Sequence, residues 1–211
     1  MKNLIYLHGF ASNDKAYKAG YLKSKFANYD DVIFHTPNFN KSSQDFKYKT
    51  ISGMIGRLRQ YILIKELDNP YLIASSLSGV VALNYFHRFA NLEGLLLLAP
   101  MTRFLRLFSE AEEKLWQDDG KIEIETAFAK DAELNYQFVE DGLKYVDRVA
   151  PPTNTMIIHG INDEVVSIAE SRSYAKEYAV DLLELNSNHS LADDNSLEVI
   201  WQQSKLLLAL S

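Results

Sequence analysis

The chain has no cysteine. Disulfide frameworks, thiolate-ligated zinc and a cysteine nucleophile are therefore excluded. Basic charge is in short supply too: 22 Lys and Arg stand against 28 Asp and Glu, a net charge of −6. A mildly acidic chain without a basic run is poorly suited to bind nucleic acid or anionic membranes. No apolar run is long enough to span a bilayer, and the longest, Leu95 to Pro100, falls far short. Met1 to Gly9 lacks the apolar core and cleavage site of a signal peptide. A soluble, cytoplasmic protein is the expectation. Low-complexity tracts, Gly/Ser linkers and internal repeats are also missing, and 211 residues fit a single domain, 1–211. What is present is ordinary globular composition, 47% apolar and 24% charged. Folding at this length buries roughly 70% of the unfolded surface, enough to need neither disulfide nor metal.

Short apolar runs alternate with helix-period segments. The runs are Leu4–Leu7, Val32–Phe34, Tyr71–Ala74, Leu95–Ala99, Met156–Ile158 and Leu182–Leu185. Most are continuous rather than alternating, as strands buried on both faces are. Ile51, Met54, Ile55, Leu58 and Ile62 fall on one helical face. Val80 to Phe89, Ser173 to Ala179 and the segment with Leu197, Ile200, Trp201, Leu207 and Leu208 also read as helices. Ser167 with Glu170, and Asn195 with Glu198, have capping-box spacing. Strand–helix alternation predicts an α/β protein with a parallel sheet and right-handed crossovers.

Residues 101–150 break the alternation. Phe104, Leu105, Phe108, Leu115 and Trp116 predict a helix. Ile122, Ile124, Thr126 and Phe128, then Leu134, Tyr136 and Phe138, predict the two arms of a hairpin. The segment reads as an insertion covering the edge or mouth of the sheet.

Glycine is scarce, nine in all, yet Gly9, Gly79 and Gly160 each lie just past a predicted strand. Ligands of parallel α/β sheets bind outside the carboxyl ends of the strands. The third strand runs through Ala74-Ser75-Ser76-Leu77-Ser78-Gly79 straight into a helix. That is a small-x-Ser-x-small string centred on Ser76, in the context of a nucleophile elbow. Ser78 competes for the role, but Val80 would then be its flank, and a β-branched residue suits the tight turn badly.

A serine hydroxyl needs a base. Of five histidines, His189 lies in the polar loop between the last strand and the last helix. His8 and His159 each precede a glycine and read as turn residues, not metal ligands. Asp163, in the loop after the fifth main strand, is the acid that would orient His189. Asp193 and Asp194 read as helix-start residues. Ser76, Asp163 and His189 thus follow successive strands in the α/β-hydrolase order of nucleophile, acid and base. Oxyanion donors are expected at the backbone N–H of Leu77 and of Phe10, in the loop after the first strand.

At these residues the chain resembles the α/β-hydrolase superfamily, and within it the small bacterial YqiA-like esterases. The likeness rests on the opening strand with His8-Gly9-Phe10, the Ser75-Ser76-Leu77-Ser78-Gly79 elbow, the His159-Gly160-x-x-Asp163 strand end and the loop His189. Ala74 and Ser78 stand where that family has glycines. The resemblance implies a trimmed α/β-hydrolase fold of about six parallel strands, with helices on both faces and a small helix/hairpin insertion after the fourth strand. It also implies hydrolysis of a small carboxylic ester or thioester without a cofactor. Phe104, Trp116, Tyr136 and Phe138 of the insertion are the expected pocket residues. An acyltransferase using the same residues, or a hydrolase-fold binding module whose elbow no longer turns over, is the competing expectation.

Overall fold

The computed structural model describes residues 1–106 and 108–210. In chain order the elements are β1 (Lys2–Leu7), α1 (Tyr17–Phe26), β2 (Val32–His35), α2 (Ser43–Lys47), α3 (Ile51–Ile64), β3 (Tyr71–Ser75), α4 (Ser78–Phe89) and β4 (Gly94–Leu98). The insertion follows as α5 (Glu110–Asp119), β5 (Lys121–Ile124), β6 (Ala132–Asn135) and α6 (Gln137–Gly142), closed by a 3-10 turn at Leu143–Tyr145. The chain then returns through β7 (Thr155–Gly160), α7 (Ile168–Tyr178), β8 (Asp181–Leu185) and α8 (Asp194–Leu207). Among the described residues no helix is long and apolar enough to cross a membrane.

The main sheet has the order β2-β1-β3-β4-β7-β8, and each neighbouring pair is parallel. The continuous apolar runs have a simple origin. Successive strand residues point to opposite faces, and both faces are covered. Ile5, Leu7, Leu72, Ala74, Leu95, Leu97 and Ile157 join one core, packed with α3 and α4. Leu4, Tyr6, Ile73, Leu96, Leu98 and Ile158 join the other, packed with α1 and α8. β2 and β8, at the edges, are only partly buried. The chain winds outward from β1 to β2 and then back across to β3, so β1 and β3 flank the topological switch point.

The insertion departs from the sequence expectation in detail. Phe104, Leu105 and Phe108 precede α5 rather than lying on it. Ser109 sets that boundary: its hydroxyl accepts from the Glu112 N–H, and the Glu112 carboxylate reaches back to the Ser109 N–H. The hairpin is shorter than expected. Thr126 and Phe128 sit in its loop, and Tyr136 and Phe138 belong to the start of α6. Two cap expectations are corrected as well. Ser167 caps α7, but Glu170 turns away to Thr102 and Arg148. α8 is capped by Asp193, whose carboxylate accepts from the Ser196 N–H, not by Asn195.

Candidate active site

The chain leaves β3 through Ser76, whose φ of +54° puts a non-glycine residue in the left-handed region. Such a conformation costs of order 1–3 kcal/mol and persists only where its surroundings hold it. They do so here. The Ser76 N–H donates to the Leu98 carbonyl (2.9 Å), and the Ser76 carbonyl accepts from Gly79 (2.8 Å) and Met101 (3.1 Å). Gly79 has to be glycine, since a Cβ there would lie 2.7 Å from the Met101 carbonyl oxygen. Ala74 needs no glycine because its methyl is absorbed into the core. Ser78, the other departure, is fully buried, and its hydroxyl donates to the His8 carbonyl at 2.5 Å. That bond ties the elbow to the β1–α1 loop, and it leaves the Ser78 oxygen away from any open space.

Ser76, His189 and Asp163, far apart in the chain, form one hydrogen-bonded line. His189 Nε2 lies 3.0 Å from Ser76 Oγ, and His189 Nδ1 lies 2.7 Å from Asp163 Oδ2. The carboxylate fixes the tautomer: Nδ1 carries the proton and Nε2 accepts from the serine. The Asp163 side chain is fully buried, with four donors around it. The Val165 and Val166 N–H groups serve Oδ1 at 2.8 Å each, and His159 Nε2 shares Oδ2 at 2.9 Å. Burial pushes the Asp163 carboxyl up, but the hydrogen bonds from His159, His189, Val166 and Val165 outweigh it and hold the group far below the usual carboxylate range. Glu164 does not join that line; its carboxylate accepts from the His189 backbone N–H. The Lys18 ammonium donates to the Ser190 carbonyl and ties α1 to the same loop.

Two backbone donors belong to residues that line the same cavity as Ser76, Phe10 and Leu77. Neither the Phe10 nor the Leu77 N–H has an acceptor among the described residues. Each is aimed through the opposite end of its own peptide. The Gly9 carbonyl accepts from His8 Nδ1 (2.9 Å), so the Phe10 N–H of that trans peptide points the other way. The Ser76 carbonyl, held by Gly79 and Met101, does the same for Leu77. His8 Nε2 in turn accepts from the Phe39 N–H (3.1 Å), so both ring nitrogens are engaged in shaping the loop. Burial pushes that imidazole down to about 4, which keeps it neutral near pH 7.

A cavity of about 950 Å³ opens over Ser76 and His189. The insertion supplies much of its wall, including Phe104, Trp116, Ile124 and Phe138, while Phe10 and Leu77 close the floor. Tyr136 corrects the expectation. It is not among the described lining residues; its ring meets Trp116 edge-on and its hydroxyl donates to Glu113 (3.1 Å). It braces the wall from behind. Of the remaining histidines, His35 bonds Tyr61 and Asn3 at the sheet edge, and His87 is exposed.

Sequence reasoning missed three participants. His159 has the sequence context of a turn residue, yet it donates to Asp163 and faces the Ser171 hydroxyl (2.7 Å) through Nδ1. The only available signal was its four-residue spacing to Asp163. Asn40 and Lys49, both buried, hold the Phe10 carbonyl at 2.9 and 2.8 Å. They lie in a polar stretch without a motif.

The comparisons agree with this architecture. A family model described as an uncharacterised protein family, UPF0227, matches residues 3–204. No curated protein matches. Among solved structures, a protein from Agrobacterium vitis S4 is 17% identical with a TM-score of 0.81, the match covering 98% of this chain and 87% of that one. Mouse alpha/beta hydrolase domain-containing protein 10 is 15% identical with a TM-score of 0.75, covering 98% and 89%. Paleococcus ferrophilus monoacylglycerol lipase is 15% identical with a TM-score of 0.75, covering 99% and 95%. At these identities the likeness establishes the α/β-hydrolase fold.

Proposed function

We propose that this chain, which belongs to the UPF0227 family of YqiA-like proteins, is a serine hydrolase that cleaves a small carboxylic ester or thioester. The observation that carries the reading is the hydrogen-bonded line from Ser76 through His189 to Asp163, at 3.0 and 2.7 Å. Ser76 Oγ attacks the acyl carbon as His189 Nε2 takes its proton. The carbonyl oxygen becomes an oxyanion between the Phe10 and Leu77 N–H groups, both without an acceptor among the described residues. Collapse of the tetrahedral adduct expels the leaving alkoxide or thiolate, which takes the proton from His189. Water, deprotonated by the same imidazole, then hydrolyses the acyl-enzyme and restores Ser76. Asp163 stays ionised throughout and stabilises the transient imidazolium; the four donors around its carboxylate favour that state.

The apolar wall of Phe104, Trp116 and Phe138 supports an acyl group seated against the insertion. The lipase among the structural neighbours is in keeping with an ester substrate. The test is labelling with a fluorophosphonate, followed by peptide mapping and turnover of a p-nitrophenyl ester panel. Label is expected on Ser76 alone. It should vanish in Ser76→Ala and His189→Ala, with turnover lower by about 10³-fold or more. Folded protein that takes no label, or a Ser76→Ala variant with full activity, sinks the reading.

A further inference from the structure

Lys49 is 5% exposed, and no carboxylate among the described residues pairs with it. Its ammonium donates to the Phe10 carbonyl (2.8 Å) and to Asn40 Oδ1 (2.7 Å). It also lies over the rings of Phe10 and Phe46, 5.4 and 5.5 Å from their centroids. Asn40, 2% exposed, donates from Nδ2 to the carbonyls of Phe10 (2.9 Å) and Ser12 (2.6 Å). Two buried donors therefore converge on one carbonyl oxygen.

An ammonium buried without a carboxylate is expensive. A methionine would fill the same space without burying a charge, and Asn40 alone would satisfy the Phe10 carbonyl, although Asn40 Oδ1 would then lose the Lys49 donor. The placement gives the expense a purpose. Phe10 supplies the oxyanion N–H on one side of its α-carbon, the clamped carbonyl on the other, and a ring that forms the cavity floor against Phe46 and Phe138. His8 fixes the peptide before Phe10, and Lys49 with Asn40 fixes the peptide after it. With both flanking peptides held, the direction of the Phe10 N–H is set.

We propose that Lys49, working with Asn40, is a positioning residue that clamps the Phe10 carbonyl and thereby aims the Phe10 N–H at the oxyanion. The role rests on the serine hydrolase reading and deepens it. Fixing the loop before substrate arrives lowers the barrier because the donor needs no reorientation as charge develops.

The experiment uses the full chain and compares wild type with Lys49→Met and Asn40→Ala. The readouts are kcat and KM on a p-nitrophenyl ester, affinity for an alkylboronic acid that forms a tetrahedral adduct with serine, and Tm. Lys49→Met is expected to lower kcat by about 10- to 100-fold, less than the loss of a whole oxyanion donor. KM should stay within about twofold, and boronate affinity should fall in step with kcat/KM. Asn40→Ala, which cuts the other bond to the same carbonyl, should move the same quantities in the same direction and serves if Lys49→Met does not fold. Wild-type kcat and boronate affinity in a folded variant overturn the clamp. So does a rise in KM alone, which would mark a loosened pocket. A wild type that does not react with a fluorophosphonate removes the hydrolase reading, and the clamp falls with it.

Discussion

Gly160 ends β7 with its α-carbon against the backbone of the loop that carries His189, so one added methyl group tests how closely the site depends on that loop. A Cβ at this position would lie 2.3 Å from the Ser187 carbonyl oxygen and 2.7 Å from that of Asn188, where ordinary contact begins at 3.4 Å. Both obstacles are backbone, so the loop has to retreat by about 1 Å. Cross-links resist that retreat: Ile161 N–H donates to the Leu185 carbonyl (2.8 Å) and Asn162 N–H to the Ser187 carbonyl (3.0 Å). Breaking one of these bonds and straining the packing should cost about 1–3 kcal/mol. In a chain of this length that lowers Tm by about 2–4 °C for each kcal/mol. The larger consequence is at the site. His189 follows Asn188 directly, and a shift of this size would carry its ring beyond hydrogen-bond reach of Ser76, now 3.0 Å away. A misplacement of 1 Å costs about 10²-fold in rate. Gly160→Ala should therefore melt cooperatively at a Tm about 2–12 °C lower, while its second-order rate of fluorophosphonate labelling falls about 100-fold. Labelling at the wild-type rate would show that the loop absorbs the methyl without moving His189, and the reasoning would be refuted.

Lys49 makes a separate prediction about stability and pH. Burial, reinforced by the Arg57 charge, pushes its amine down to about 7. The unfolded chain then binds more protons than the folded one between about pH 7 and the normal lysine value, so this group makes stability rise with pH across that window. Urea midpoints at pH 7, 8 and 9 should climb more steeply for wild type than for Lys49→Met, and parallel slopes would show that the amine titrates normally. Ile124, on the insertion wall, tests the pocket. Ile124→Trp fills part of the cavity and should lower kcat/KM for hexanoyl esters at least fivefold more than for acetyl esters; an equal effect on both would place the acyl group elsewhere.

Much of the fold was readable in the chain because its strands advertise themselves. Leu72, Ile73, Leu95 to Leu98 and Ile157 are continuous apolar residues, and a strand covered on both faces requires that. Ser76, Asp163 and His189 could be nominated because each follows such a strand, and strand ends in parallel sheets converge on one edge. The insertion was less legible. Phe104, Tyr136 and Phe138 are aromatic in any arrangement, and only packing decided that Phe104 and Phe138 face the cavity while Tyr136 stands behind Trp116.

Strand–helix alternation and the small residues after β3 are written locally, in side-chain size, hydrophobicity and turn geometry, and Ser76, Asp163 and His189 stand out because each lies just past a predicted strand. Tertiary structure alone decided which polar groups meet. Ser78 reaches the His8 carbonyl, His159 shares the Asp163 carboxylate, and Lys49 and Asn40 grip Phe10. Those contacts join segments with no common period or motif. They form because a buried polar group must find a partner, and which partner lies within 3 Å is settled only when the sheet closes and its loops pack against one another.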